Sequence, residues 1–386
     1  MGLAHKIVVE KGFSRALTLA AVDVYPLRAE GGVSPSMALG VMPTRPALLI
    51  SVTDVHGCVG WGEVWANFPP RANQHKAHLI EDIVAPKLDG FEFTDPREAD
   101  TYLRETLSVY FLHIGQSQVF EHILAGLDTA LWDLALRSAG QSFADHMGVP
   151  ATSRCYASSI NPDDLEVKFA DHTTVGQEHF KLKLGFGDAD DVAFVEKAHG
   201  QRPKGARLMV DTNQKWSVPQ AQDMLQRLAP YDLLFSEEPI PANAALQDWE
   251  ALASSSGIPL AAGENIYGVD EFLRMAEAGV HVLQPDVAKW GGVSGALDLA
   301  AALPMTAVLW PHFMGTAIGQ MAALSIAAAV GESSVCEMDV NINALRSELC
   351  GDVLNISEGR VALSDAPGLV TPPLPEMLRK FAETPS

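Results

Sequence analysis

The sequence predicts an α/β protein in which a parallel (β/α) barrel follows an N-terminal α+β domain. Three patterns support this prediction. After residue 157 short apolar strands alternate with helix-length segments, and polar residues recur at the predicted strand ends. The first 125 residues instead show hairpin and helix patterns without that recurrence. A chain of 386 residues is long enough for a large barrel with an added domain.

The N-terminal α+β domain is predicted over residues 1–125. Period-2 alternation bounded by turn residues indicates a hairpin of strands over 47–53 and 57–64. Helical periodicity follows over 74–88 and 96–107. Strands followed by helices, rather than a regular alternation, are typical of an α+β domain.

The barrel is predicted over residues 126–345, where a strong helix over 119–140 marks its beginning. Short segments rich in β-branched and apolar residues qualify as its strands. They are residues 155–159, 180–184, 207–210, 233–235, 260–262, 282–284, 307–310 and 334–336. Residues 346–386 carry several prolines, and we expect this segment to pack back against the N-terminal domain.

Polar residues at the predicted strand ends recur at close to one β/α unit. They are Lys183, Asp211, Glu237, Glu264, Asp286, His312 and Glu337, at intervals of 28, 26, 27, 22, 26 and 25 residues. Because the C-terminal ends of barrel strands form a single face, these side chains should converge on one site.

Composition disfavours several kinds of partner. A formal net charge of −21 argues against nucleic acid and anionic membranes, which bind basic surfaces. The four cysteines are too few for a disulfide framework, so we expect reduced thiols and a cytoplasmic protein. The longest apolar run, residues 316–330, is too short to span a bilayer and is predicted to be a buried helix.

Three carboxylates, those of Asp211, Glu237 and Glu264, end consecutive predicted strands. In a closed barrel they would lie close together, and like charges at that spacing need a cation. Oxygen ligands without His or Cys partners favour a hard ion, so these residues are predicted to bind Mg²⁺. Any one of them alone could equally be a surface carboxylate or a helix cap.

Two lysines, Lys181 and Lys183, lie two residues apart on one predicted strand and therefore on the same face. Since Leu182 and Leu184 face the other way, the lysines should face the barrel lumen, where they need nearby negative charge. We expect a second cation and the metal ion to lower the pKa of one lysine, so that it can act as a base.

His312 and Asp286 end neighbouring predicted strands, which should bring them within hydrogen-bonding distance. The carboxylate would then orient the imidazole and raise its pKa. Lys289 lies three residues beyond Asp286 and is predicted to point away from the site.

Other polar residues near the strand ends have less defined roles. Glu337 could donate a proton to a developing enolate oxygen, and Asp339, two residues further on, is a second candidate at this strand end. Asn213 could bind substrate as a neutral hydrogen-bonding group. Glu238 should face away from its neighbour Glu237 and have a structural role.

In this order, the residues resemble the mandelate racemase subgroup of the enolase superfamily. The matching stretches are Lys181-Leu182-Lys183, Asp211-Thr212-Asn213-Gln214, Glu237-Glu238-Pro239, Gly263-Glu264-Asn265, Asp286 through Lys289 to Gly291-Gly292, His312 and Glu337. The resemblance implies a modified (β/α)7β-type TIM barrel with an N-terminal capping domain, and a homo-oligomer. Specificity would then lie in capping-domain loops near residues 31–42 and 65–72, with Trp65, Phe68 and Arg71 as candidates.

The resemblance also implies roles for the strand-end residues. The three carboxylates would bind Mg²⁺, and the metal would chelate the carboxylate of a small-molecule substrate. Lys183 would be one base, with Lys181 supporting it and the substrate carboxylate. The pair of His312 and Asp286 would act from the opposite face, and Glu337 would supply a proton. An α-proton beside a carboxylate is so weakly acidic that the developing charge must be neutralised as it forms.

Two reactions could share such a site. Protonation of a β-hydroxyl would expel water and give a 2-keto-3-deoxy acid, whereas return of a proton to the α-carbon would give an epimer. We favour dehydration of an acid sugar, with a racemase or epimerase of a 2-hydroxy acid as the alternative. A binding protein without turnover is less consistent with a full set of expected residues. A muconate-type cycloisomerase would need a lysine in place of Asp286.

Overall fold

The N-terminal domain is an antiparallel sheet with helices packed on it. The computed structural model describes residues 12–30, 36–37, 40–41 and 43–383. The domain's elements are β1 (Leu17–Glu30), β2 (Ser36–Met37), β3 (Gly40–Val41), β4 (Thr44–Asp54), β5 (Val59–Val64), α1 (Ala72–Leu79), α2 (Ala85–Leu88), β6 (Glu92–Phe93) and α3 (Pro96–His113). Within the described ranges, the main sheet has the order β5-β4-β1-β6. The predicted hairpin is confirmed, because β4 and β5 pair antiparallel.

Strand β4 is buried on both faces, and its side chains alternate between two cores. Leu48, Ile50 and Val52 belong to the core of the N-terminal domain. Ala47 and Leu49 join the larger core that continues into the barrel. This alternation follows from the two-residue period of a strand and places the sheet between its own helices and the barrel.

The long helix α4 (Ser117–Ala139) is shared between the two parts of the molecule. It crosses β5 so closely that a Cβ added at Gly62 would lie 2.0 Å from the carbonyl oxygen of Gly126. Ile123 of α4 packs in the N-terminal core, whereas Trp132 packs in the barrel core. The boundary that we predicted after residue 125 therefore falls inside one continuous helix.

The barrel follows the short helix α5 (Phe143–Met147). Within residues 152–339, all of which the structure describes, eight parallel strands alternate with seven helices. These elements are β7 (Thr152–Ile160), α6 (Leu165–Thr174), β8 (His179–Lys183), α7 (Asp188–Gln201), β9 (Arg207–Asp211), α8 (Val218–Leu228), β10 (Ser236–Glu237), α9 (Leu246–Ser255), β11 (Leu260–Ala262), α10 (Val269–Glu277), β12 (Val280–Leu283), α11 (Gly292–Ala302), β13 (Val308–Leu309), α12 (Ala317–Val330) and β14 (Cys336–Asp339). The predicted (β/α)7β barrel is confirmed.

The barrel closes where β14 pairs with β7 and the amide of Glu337 donates to the carbonyl of Pro311 at 3.1 Å. Its interior contains an apolar cluster that includes Tyr156, Phe235 and Trp310.

One strand lies later in the chain than predicted. The prediction was residues 233–235, whereas β10 begins at Ser236 and contains Glu237. The predicted buried helix over 316–330 is confirmed by α12, in which every residue is buried.

The two domains are joined at the N-terminus of α12. The Glu63 carboxylate of β5 accepts hydrogen bonds from the Thr316 hydroxyl at 2.6 Å and from the amide of Gly319 at 3.0 Å. Side-chain oxygens are the usual acceptors for the free amides of a first helical turn. Here the acceptor comes from the other domain, so the cap also fixes the position of the N-terminal sheet over the barrel.

The C-terminal segment contains α13 (Ala344–Ser347), β15 (Ile356–Ser357), β16 (Arg360–Ala362) and α14 (Pro375–Phe381). Strand β16 pairs antiparallel with β7. Beyond α14 the chain reaches β1, where Glu383 lies 2.8 Å from the Arg28 guanidinium. The end of the chain is thus packed against the N-terminal domain.

Two further expectations concern the whole chain. In the part of the chain that the structure describes, no helix is long and apolar enough to cross a membrane. Over the same residues all four cysteines are free thiols, and three of them are buried.

Candidate active site

The predicted site residues lie together at the C-terminal end of the barrel strands. Lys183, Asp211 and Glu237 are the last residues of β8, β9 and β10. The rest of the predicted set lies in β8 and β14 or two to three residues beyond the ends of β9, β11, β12 and β13: Lys181, Asn213, Glu264, Asp286, His312 and Glu337. Most of these charged side chains are buried, so each needs a partner of opposite charge.

Lys181 is fully buried and lies between two carboxylates. Its Nζ is 2.6 Å from Glu237 Oε2 and 2.7 Å from Glu337 Oε1. Burial alone lowers the pKa of Lys181, but the two carboxylates outweigh it and raise that pKa well above its ordinary value. Lys181 is therefore a fixed cation at the centre of the site.

Lys183 pairs with Asp211 Oδ2, and the other oxygen of Asp211 accepts from the backbone N–H of Asn213 at 2.8 Å. Burial lowers the pKa of Lys183, but Asp211 reverses this effect and raises the pKa above its ordinary value. The direction is opposite to the predicted depression, because the carboxylate has a stronger effect than the neighbouring Lys181. In turn, burial raises the pKa of Asp211, but Lys183 and Lys181 lower it overall.

His312 is held on both ring nitrogens. Its Nδ1 lies 2.8 Å from Asp286 Oδ2, and its Nε2 lies 2.7 Å from Glu264 Oε2. Burial lowers the pKa of His312, but Glu264 and Glu337, with a smaller contribution from Asp286, raise it well above its ordinary value. Carboxylate oxygens at both ring nitrogens favour the imidazolium form, which can donate a proton.

The two oxygens of Glu337 differ in their surroundings. Oε1 contacts Lys181 and accepts a hydrogen bond from Ser158. Oε2 has no hydrogen-bond partner among the described residues and lies 3.5 Å from His312 Nε2. Oε2 therefore has hydrogen-bonding capacity that no described residue uses.

The prediction that Lys289 points away from the site was wrong, because its side chain points into the site. Its Nζ donates to Asn265 Oδ1 at 3.0 Å and lies 4.7 Å from the centroid of the Trp65 ring. The short turn after β12 brings Lys289 back over the barrel rim, where Glu264 offers negative charge. Glu238 is buried beneath Asn265, and burial and Glu264 raise its pKa to about 8.

Sequence reasoning gave no role to two residues that complete the site. Gln284 donates to Glu237 Oε2 at 2.6 Å, and Asn265 donates to both Glu238 and Glu264. Neutral amides give no charge pattern in a sequence. Their only signal is position, since Gln284 ends a predicted strand and Asn265 follows Glu264.

A cavity of about 320 Å³ lies over these residues, between the barrel rim and the N-terminal domain. The barrel lines it with Lys183, Asn213, Gln214, Glu264, Asn265, Lys289, His312 and Met314, and the N-terminal domain with Arg45, Trp65, Asn67 and Phe68. Of the predicted specificity candidates, Trp65 and Phe68 are lining residues, whereas Arg71 is exposed elsewhere. The other candidate loop, residues 31–42, lies outside the described residues except for 36–37 and 40–41.

The carboxylates predicted to bind Mg²⁺ are paired with protein cations. Asp211 faces Lys183, Glu237 faces Lys181, and Glu264 faces His312. Among the described residues, no group of three Asp, Glu, His or Cys side chains is arranged as a metal site. The donor set nonetheless has the chemistry that a hard cation requires, because all three side chains are carboxylates.

Two protein-family models match this chain, one over the barrel and one over the N-terminal domain. Residues 167–374 match the enolase C-terminal domain-like model. Residues 30–148 match the N-terminal domain of mandelate racemase / muconate lactonizing enzyme, so the chain belongs to that family of the enolase superfamily. The resemblance inferred from the strand-end residues is confirmed.

Individual relatives agree with this assignment. A D-galactonate dehydratase of Verminephrobacter eiseniae is 31% identical over 274 residues, which cover 67% of this chain and 69% of that protein. A mandelate racemase/muconate lactonizing enzyme structure from Bordetella bronchiseptica RB50 has a TM-score of 0.87 and 38% identity, covering 95% of this chain and 99% of that one. A Bradyrhizobium enolase crystallised with magnesium and mandelic acid has a TM-score of 0.83 and 25% identity, covering 96% of this chain and 100% of that one.

Proposed function

We propose that this protein is a Mg²⁺-dependent hydro-lyase that removes water from an acid sugar to give a 2-keto-3-deoxy acid. The observation that carries the proposal is that Lys183 and His312 line one cavity from well-separated barrel strands. Two proton-transfer groups on different sides of a bound acid can remove a proton and protonate a leaving group. Similarity to a D-galactonate dehydratase supports the same choice.

Asp211, Glu237 and Glu264 would hold Mg²⁺. Their carboxylate oxygens suit a hard divalent cation, and each already contacts a positive group of the protein. The bound ion would supply electrostatic stabilisation of the negative charge that develops on the substrate carboxylate. The magnesium in the Bradyrhizobium relative supports this assignment.

Lys183 would remove the α-proton. Because Asp211 raises the pKa of Lys183, the lysine can act as a base only when Asp211 directs its carboxylate to another cation. Asn213 Oδ1 lies 3.3 Å from Lys183 Nζ and would help to keep the amine in position. Lys181 stays charged between Glu237 and Glu337 and would bind the substrate carboxylate.

His312 would complete the elimination. The electrons of the broken C–H bond form the enolate, and the bond from the β-carbon to its hydroxyl breaks as the imidazolium donates its proton, so that water leaves. The resulting enol then gains a proton at C3 and loses the proton of its C2 hydroxyl to become the 2-keto acid. Asp286 fixes the ring through Nδ1. Only in its protonated form would Glu337 donate a hydrogen bond from Oε2 to the enolate oxygen.

Racemisation or epimerisation of a 2-hydroxy acid is the second candidate. The same two groups would serve if His312 returned a proton to the α-carbon instead of protonating a hydroxyl. The Bradyrhizobium relative binds mandelic acid, which is a 2-hydroxy acid without a β-hydroxyl. A ligand of this kind supports racemisation as the second candidate reaction.

A substrate screen separates the two functions. The purified protein with Mg²⁺ is incubated with mono- and diacid sugars, and 2-keto acid is measured with a carbonyl-specific reagent. Formation of a 2-keto acid from one sugar supports the dehydratase. No 2-keto acid from any sugar, together with decay of optical rotation for a 2-hydroxy acid, supports the racemase and rejects dehydration.

A further inference from the structure

Arg45 connects the N-terminal domain to the barrel at the wall of the cavity. It is the second residue of β4, its side chain is only 4% exposed, and it lines the cavity beside the barrel-rim residues. Its Nη2 lies 3.4 Å from Asp339 Oδ2 on β14, which is a long distance for an ion pair that is meant to neutralise a buried guanidinium.

Asp339 has a closer partner than Arg45. Arg346 Nη1 lies 3.1 Å from the same Oδ2 oxygen, and Oδ1 accepts from the Asn341 amide at 3.1 Å. One carboxylate therefore faces two guanidinium groups. Burial lowers the pKa of Arg45, Asp339 counteracts this effect, and Arg346 adds to it. The local charge balance leaves an excess of one positive charge.

The Nε of Arg45 is buried and has no hydrogen-bond partner among the described residues. Leaving a buried charged donor unpaired is costly, so a buried guanidinium with an unused donor in a binding cavity indicates an anionic ligand group. A carboxylate suits it especially well, because the planar fork of an arginine matches two carboxylate oxygens.

Arg45 is separate from the groups that would bind the first carboxylate. The proposed function assigns the carboxylate beside the α-carbon to the region of Lys181 and the three barrel carboxylates. Arg45 comes instead from the N-terminal domain, and it lines the same cavity as Lys183 and His312. Asn67, Asn213 and Gln214 also line this cavity.

We propose that Arg45 binds a second carboxylate, so that the substrates are sugar diacids rather than sugar monoacids. The inference rests on the proposed function for the position of the first carboxylate. It makes Arg45 a specificity-determining residue, whose effect should appear in the comparison of a diacid with the monoacid of the same configuration.

The test compares hexaric acids with the matching hexonic acids, in the presence of Mg²⁺. Steady-state kcat and KM are measured from 2-keto acid formation, binding by calorimetry, and exchange of the α-proton with solvent deuterium by NMR. The wild-type protein should prefer the diacid of a pair. Arg45→Gln should lower kcat/KM for the diacid by at least about 30-fold, mainly through KM, and leave the monoacid within a few-fold of wild type. Arg45→Lys should recover part of the loss, because it restores the charge but not the fork.

Arg346→Gln is the matched control, because Arg346 contacts the same Asp339 oxygen but does not line the cavity. If Arg45 only held the domains together, both variants would lower thermal stability and weaken diacids and monoacids alike. Such a result would overturn the inference, and so would a wild-type protein that binds no diacid more tightly than its matched monoacid. Diacid binding that depends on Arg45 without deuterium exchange for any acid would instead keep the inference and reject the proposed function.

Discussion

Asp286 Oδ2 lies 2.8 Å from Nδ1 of His312, and the two residues also form an isolated parallel β-bridge beyond the ends of β12 and β13. The other oxygen of Asp286 accepts from the backbone amide of Ala288 at 2.8 Å, which fixes the carboxylate plane. The imidazole is thereby oriented by a group that is itself held rigidly. As a result, Nε2 of His312 is held in a fixed orientation at the wall of the cavity.

Replacing Asp286 with Asn should impair proton donation by His312. We expect kcat to fall by about 100-fold or more, because a positioned acid contributes about that much to catalysis. Asp286 contributes to the raised pKa of His312, although Glu264 and Glu337 contribute more. The imidazolium of the variant should therefore lose its proton at lower pH, and the alkaline limb of the kcat/KM profile should move to lower pH. An unchanged limb would show that Asp286 does not act through His312.

Removing either proton-transfer group should stop turnover without unfolding the protein. Lys183→Ala and His312→Asn are each expected to lower kcat by more than about 1000-fold, measured as 2-keto acid formation. Mg²⁺ binding, measured by calorimetry, should be retained. The exposed Lys204 provides a matched control, and Lys204→Ala should keep wild-type rates. Wild-type activity in Lys183→Ala or His312→Asn would contradict the site assignment.

Removing the metal should abolish activity reversibly. Treatment with a chelator followed by dialysis is expected to give an inactive protein that recovers when Mg²⁺ is added, since no protein group replaces the divalent charge at the substrate carboxylate. Glu264→Gln should weaken Mg²⁺ binding at least about tenfold in calorimetry, because a neutral amide is a poorer ligand than a carboxylate. Full activity after chelation would reject the metal role.

Lys76 should make stability depend on pH. It is buried, its Nζ contacts His122 Nδ1 at 2.8 Å, and burial, with Lys289, lowers its pKa to about 7. The unfolded chain keeps the ordinary pKa of 10.5 and so binds more protons than the folded protein between these values. Stability relative to Lys76→Met should therefore rise from about pH 7 upward, by at most about 1.4 kcal/mol per pH unit.

Chemical denaturation of both proteins between pH 6.5 and 9 measures this difference. Lys87 is an exposed lysine of α2, and Lys87→Met should leave the pH dependence of stability as in wild type. The test compares the free energy of unfolding of wild type with that of Lys76→Met. If the difference stays constant or falls with rising pH, the lowered pKa of Lys76 is contradicted.

The barrel and its charged residues were predictable because each strand-end residue repeats with the β/α unit. Lys183, Asp211 and His312 needed no knowledge of tertiary contacts, since the topology of a closed barrel brings the strand ends together. The prediction for Lys289 was wrong, because counting residues along a loop does not reveal that a turn reverses the chain over the rim.

Arg45 illustrates what the sequence could not show. It lies in an apolar strand of the N-terminal domain, 294 positions before its partner Asp339. Its importance depends on how the two domains face each other, and on Arg346 being the closer partner of that carboxylate. Neither relationship leaves a local pattern in the sequence.

The fate of the substrate α-proton tests the central claim most directly. NMR would follow a panel of hexaric and hexonic acids in D₂O with Mg²⁺ and the wild-type protein, with Lys183→Ala as the comparison. We expect one acid to be converted to a 2-keto-3-deoxy acid that carries solvent deuterium at C3, and no conversion by the variant. Folded, Mg²⁺-bound wild-type protein that leaves every acid unconverted and free of deuterium would contradict the account.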